Sequence, residues 1–277
     1  ARLTKPAPRR KCRVMKSNPG NFFEDFALGQ TIAHATPRTV TSADVALNIA
    51  LTGSRVALFC ADTFAQQCGL PRAPVDPLLV FHIVFGKSVP DISLNAVANL
   101  GYAEGRFLAP VYPGDTLRAV SEVIGLKQNS SGKTGIVTVR TRGLNQHDVA
   151  VLSYVRWVMV NKRELAAPAP DPVSPPLAEA LAASELVPTP GLDFRRYDFA
   201  LAGSRHAFED YVIGERIDHV DGATIEEAEH QLATRLYQNT AKVHFDALSQ
   251  RESRFGKRLI YGGVAISLAR ALAFNGL

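Results

Sequence analysis

The stretch FEDFALGQTIAH (residues 23–34) returns as FEDYVIGERIDH (residues 208–219) at a constant offset of 185, without a gap. The register holds further on: Thr39, Ala43, Leu47 and Leu51 meet Thr224, Ala228, Leu232 and Leu236. Val40/Ile225 and Asp44/Glu229 are conservative exchanges in the same frame. Self-similarity at a fixed spacing marks a repeated structural unit and has to be recognised before single elements are read. The chain therefore holds one unit twice.

The first copy can be read to its end. QTIAHATPRTV (30–40) alternates like a strand, and TSADVALNIALTG (41–53) offers Ser42 as N-cap before a helical period. DTFAQQCG (62–69) reads as a second short helix closed by Gly69. PVDPLLVFHIVFGKSV (74–89) is apolar on nearly every face, which predicts a helix buried all round. Four strand candidates follow, ANLGYAEGRFL, DTLRAVSEVIGLK, TGIVTVRTRGLN and DVAVLSYVRWVMVN, with NSSGK and NQHD as polar turns. Their order predicts an antiparallel meander. One buried helix wrapped by such a sheet is the hot-dog arrangement.

The expected fold class is α+β, a double hot-dog, with residues 21–163 as the first copy and 206–277 as the second. Residues 164–205 between them read as a Pro-rich, semi-rigid linker; the stretch from Asn161 to Phe194 holds seven of the 17 prolines. Leu277 corresponds to Ile92, just past the buried helix, whereas the first copy needs about 71 further residues to deliver its strands. A second apolar helix without its sheet would expose a large patch. The expectation is either a truncated second copy of a protein about that many residues longer, which is the simpler reading, or strands supplied by a partner.

Composition narrows the function classes. Hydrophobic content of 46% and charged content of 21% fit a globular protein with a real core, and no apolar run is long enough to span a membrane. Three cysteines, Cys12, Cys60 and Cys68, form neither a disulfide framework nor a metal cluster, which suits the cytoplasm. The net charge of +5 is misleading, because residues 1–20 hold seven Lys or Arg and no acid, leaving the other 257 residues at −2. That basic leader reads as disordered, and the body offers no nucleic-acid surface. SSGKTG (130–135) fails as a phosphate loop, since Lys127 occupies the place of the first glycine and the segment joins two strands. No metal site or redox cofactor is expected.

PVYPGDTLRAVSEV (110–123) is on physical grounds a turn at Pro113-Gly114 with Asp115 bonding local donors. RFLAPVYPGDTL also resembles the strand-entry motif of the MaoC-like hot-dog hydratases. HATPRTVTSADVAL, the long run from PVDPLLVFHIVFGKSV to PVYPGDTL, and EVIGLKQNSSGKTG resemble the mesaconyl-CoA hydratases, or β-methylmalyl-CoA dehydratases, within that family. The resemblance covers about residues 20–277. It implies a hydro-lyase acting on an α,β-unsaturated acyl-CoA thioester, with no cofactor beyond that substrate, and a homodimer.

The resemblance also implies a site. MaoC-like hydratases carry Asp-x-Asn-x-x-His in one half; here LYQNTAKVHFD places Asn239, Ala241 and His244 at those positions. The first copy has Ser54, Val56 and Phe59, so only the second keeps a polar pair. His244 is expected to act as general acid–base, with Asn239 orienting water or substrate because an amide cannot be a base. Tyr261, Gly262 and Gly263 in IYGGVAISLARAL would form the oxyanion or substrate-binding turn at a helix N-terminus. Arg55, Arg235 and Lys242 are candidate contacts for a second carboxylate or for CoA. His82 reads as a core histidine. Two alternatives stand: an acyl-CoA thioesterase using Asp76, and a non-catalytic acyl-CoA binding module.

Overall fold

The computed structural model describes residues 17–275; the expected leader lies outside them up to residue 16. After a 3₁₀ turn at Phe23–Asp25, strand β1 (Thr31–Thr39) leads into helices α1 (Ser42–Thr52), α2 (Ala57–Cys60) and α3 (Asp62–Gln67). The N-cap of α1 is Thr41 rather than Ser42: Thr41 accepts from the Asp44 N–H, while the Asp44 carboxylate accepts from the Thr41 N–H at 2.8 Å. That reciprocal box satisfies two orphan donors, which a Ser42 cap could not do without Glu or Gln three residues on.

Helix α4 (Pro77–Ile92) is the centre of the molecule. It starts on an Asp76 cap followed by proline, and buried residues lie on all its faces. Strands β2 (Ala96–Phe107), β3 (Thr116–Gln128), β4 (Thr134–Leu144) and β5 (Ala150–Asn161) complete one antiparallel sheet of order β1-β3-β4-β5-β2. The expected four-strand meander is thus a three-strand one. β2 pairs with β5, and the chain crosses through residues 108–115 before β3 begins beside β1. Strand β3 alternates buried and half-buried residues along most of its length, so one face of the sheet closes over α4.

The second copy repeats the 3₁₀ turn and the helices of the first. The 3₁₀ turn Phe208–Asp210, helices α6 (Glu227–Leu236), α7 (Lys242–Phe245), α8 (Ala247–Gln250) and α9 (Gly262–Leu272) fall where the offset puts them. Helix α5 (Phe199–Ala202) precedes that repeat. The α4 and α9 helices meet at His82 and Ser267, whose Nε2 and Oγ lie 2.8 Å apart. These two residues are repeat equivalents, so the central helices of the two copies meet at the same position of the repeat. Gly86 permits the close approach of α4 to the end of α6: a Cβ there would sit 1.9 Å from the Tyr237 carbonyl oxygen.

One element does not repeat. Residues 216–224, the counterpart of β1, are irregular, and among the described residues no strand follows α9. The segment from 164 to 205 packs along the body: Val173 bridges to Leu126 of β3, and Ala202, Leu192 and Tyr197 close over Phe64 and Cys68.

Candidate active site

Asn239 and His244, the polar pair that the first copy lacks, lie at one cleft. About 390 Å³ in volume, it is bounded by α4 and β2 of the first copy and by the α6–α7 turn and the start of α9 from the second. Asn239, His244 and Gly262 line it together with Phe85, Ser93 and Tyr102. The corresponding place in the first copy, lined by Phe59, Pro74, Val75 and Pro77, keeps only about 70 Å³ and is apolar.

His244 is held in one orientation. Its Nδ1 lies 3.0 Å from the Leu259 carbonyl oxygen and donates to it, so Nε2 carries the free lone pair and has no partner among the described residues. Burial lowers its pKa and outweighs the Leu259 bond, leaving a neutral imidazole. The ring packs against Tyr261, with centroids 5.4 Å apart. Asn239 is only 4% exposed. Its Oδ1 accepts from the Ala241 N–H at 3.1 Å, which braces the turn into α7, while Nδ2 is buried without a hydrogen-bond partner. A buried amide donor left unpaired is costly.

Helix α9 opens at this cleft with Tyr261 as N-cap. The first-turn N–H groups of Gly262 and Gly263 have no acceptor within the helix. The glycines differ in role: space around Gly262 is open, whereas a Cβ on Gly263 would lie 2.6 Å from His82 Cε1. Gly263 is a packing glycine, and Gly262 presents backbone to the cleft. The Tyr261 hydroxyl points inward, 3.4 Å from His82 Nδ1, instead of toward a ligand. His82 itself is fully buried, hydrogen-bonded to Ser267, with burial driving its pKa down to about 3.

The three cations chosen by proximity in sequence do not line the cleft. Arg55 lies over the Phe274 ring at 4.6 Å and lines a separate cavity, while Arg235 and Lys242 are exposed. Asp76 is committed elsewhere: it caps α4 through the Leu78 N–H and accepts a bidentate pair from Arg270 at 3.0 and 2.5 Å. A carboxylate so occupied is a poor base for thioester hydrolysis.

Two buried polar residues that the sequence reading did not single out stand behind the cleft lining. His230 on α6 is 4% exposed and its Nε2 accepts the Tyr261 N–H at 2.8 Å, fixing the cap of α9 beside His244. Its repeat counterpart is Val45, so the exchange of an apolar for a polar residue was the available signal. Arg156 on β5 is wholly buried and stands opposite Tyr102. Nothing in its strand pattern distinguished it from an outward-facing arginine.

The fold and this cleft define a MaoC-like double hot-dog protein. A family profile described as mesaconyl-CoA hydratase matches residues 11–275. The chain is 66% identical over 263 residues to the mesaconyl-CoA hydratase of Cereibacter sphaeroides, covering 95% of this chain and 76% of that relative. It is 63% identical to the β-methylmalyl-CoA dehydratase of Chloroflexus aurantiacus, over 95% of this chain and 74% of the relative. A crystal structure of a MaoC domain dehydratase from Chloroflexus aurantiacus superposes with a TM-score of 0.92 at 62% identity, covering 95% and 75% of the two chains. The Mycobacterium tuberculosis protein Rv0216, described as a double hot-dog, superposes at 0.63 with 29% identity over 92% of this chain and 76% of its own. This chain belongs to the mesaconyl-CoA hydratase family.

Proposed function

We propose that the protein adds water reversibly to mesaconyl-CoA, giving β-methylmalyl-CoA, with His244 as its acid–base. The observation that carries this is the state of His244: neutral, oriented by Leu259 and open at Nε2 beside the unpaired Asn239 amide. The names of the relatives supply the substrate.

In hydration, Nε2 takes a proton from water as its oxygen attacks the β-carbon. The double-bond electron pair moves onto the thioester oxygen as an enolate, and the imidazolium then returns a proton to the α-carbon. Asn239 Nδ2 donates to the water or thioester. The backbone N–H groups at the start of α9 receive the developing negative charge, where the helix dipole also favours an anion. His230 keeps that turn in place through the Tyr261 N–H. The reaction draws on no other cofactor, and two copies of the chain are proposed to associate as a homodimer.

The test is loss of the enoyl-thioester absorbance when purified protein meets mesaconyl-CoA, with free CoA followed in parallel. Absorbance loss without CoA release is the expected result. CoA release would mark a thioesterase, and an unchanged ligand a binding protein.

A further inference from the structure

A wholly buried guanidinium stands behind the cleft wall with no acid beside it. Arg156 is 0% exposed, and among the described residues it forms no ion pair. Its Nη2 donates to Ser88 Oγ at 2.9 Å and its Nη1 to Ser93 Oγ at 3.4 Å, while Nε is buried without a partner. Its Cζ lies 4.4 Å from the centroid of the Phe85 ring. Two hydroxyls and an aromatic face make a weak setting for a buried charge, because none of them carries a negative charge.

The neighbours of Arg156 point to the use of this charge. Phe85, Ser93 and Tyr102, which surround it, all line the cleft that contains His244. Ser93 accepts from Arg156, so its own hydroxyl hydrogen is free to donate into the cleft. A serine hydroxyl polarised from behind by an uncompensated cation favours an anion in front of it. The low dielectric of a dry wall lets the positive charge act across that distance.

We propose that Ser93, backed by Arg156, recognises the free carboxylate of a dicarboxylic acyl group whose thioester end lies at His244. This rests on the hydratase reading for the identity of that group. Ser93 touches the carboxylate; Arg156 is a positioning residue that acts through it. A monocarboxylic acyl chain leaves the cation uncompensated, so the arrangement selects for thioesters with a second carboxylate. The cleft's other wall residues near this end, Val89, Val97 and Leu100, offer no competing charge.

The test is binding without reaction. Succinyl-CoA and butyryl-CoA are both saturated and have four-carbon acyl groups, and they differ in the terminal carboxylate. Their affinities are measured calorimetrically for the wild type, Ser93→Ala and Arg156→Lys. The expected result is tighter succinyl-CoA binding by the wild type, by about tenfold or more, the scale of a hydrogen bond to a charged group. That gap closes in Ser93→Ala through succinyl-CoA alone, with butyryl-CoA affinity unchanged, and Arg156→Lys, which keeps the charge but shifts its donors, narrows it. Equal affinities in the wild type, or a gap that survives Ser93→Ala, would overturn the proposal even if Arg156→Lys fails to fold. Preserved discrimination without hydration of mesaconyl-CoA would sink the proposed reaction and leave this subsite standing.

Discussion

Two segments with nearly the same sequence have different fates here. Phe23 and Phe208 open the same FED turn, and both turns form as 3₁₀ helices. Phe23 is 2% exposed and Phe208 is 90% exposed. Phe23 lies over Gly135 of β4, where a Cβ would be 2.3 Å from its ring, and packs with Val123, Val137 and Val160. Downstream, residues 31–39 form a strand on β3, whereas their counterparts 216–224 form none. Short-range preferences make the turn and the helices; a strand needs a partner for its backbone groups.

The polar groups at the two cavities are divided the opposite way. The first copy, with its sheet, supplies walls: α4, β2, and an apolar counterpart void. The second copy supplies the groups that can react, His244, Asn239 and the N-terminus of α9. A duplicated unit can lose its polar pair in one half because the other half's cleft borrows that half's helix and edge strand.

The largest expected effect tests this division directly. His244→Ala lowers kcat for mesaconyl-CoA hydration by about 10²- to 10⁴-fold, the usual contribution of a general acid–base. Phe59→Ala at the equivalent position leaves kcat unchanged, as stopped-assay kinetics on both variants would check. Equal losses would break the comparison. Next comes stability: Phe23→Ala costs about 3–5 kcal/mol by denaturant unfolding, whereas Phe208→Ala stays within about 0.5 kcal/mol.

The smallest effect is in pH. Burial lowers the pKa of His244, so its basic form persists at neutral pH and is lost only on acidification below the free-imidazole value of about 6.5. The expected kcat/KM profile is flat from pH 8 to that value and falls at lower pH, with a slope that disappears from the residual activity of His244→Ala. The same sign holds for stability. His34, His82, His230 and His244 all have pKa values lowered chiefly by burial, so the unfolded chain binds more protons than the folded one. The histidine contribution to stability is full above about pH 6.5 and is lost as pH falls, which a melting-temperature series would show.

The polar pair that lines the cleft was legible in the chain. The repeat alignment placed Asn239 and His244 opposite Ser54 and Phe59, and both second-copy residues line the cleft. Gly262 and Gly263 stand at a helix N-terminus as read, although Gly263 is there for packing against His82. Arg55, Arg235 and Lys242 do not line the cleft, because nearness in sequence does not fix nearness in space. Arg156, about 90 residues from His244, bonds Ser93 of the cleft lining from β5, and Arg55 lies at another cavity.

The sequence by itself determined the duplication, the two central helices, the strands β2 to β5 and the half that bears the polar pair. Those features rest on local periodicity and on comparison of the chain with itself, which need no coordinates. Only the tertiary structure decided that β2 crosses to the far edge, that His82 meets its repeat equivalent Ser267, and that Asp76 is taken by Arg270. It also decided that an uncompensated Arg156 stands behind Ser93. Each of these is a contact between residues far apart in the chain, and no local preference encodes which distant partner a buried charge or a strand edge will find.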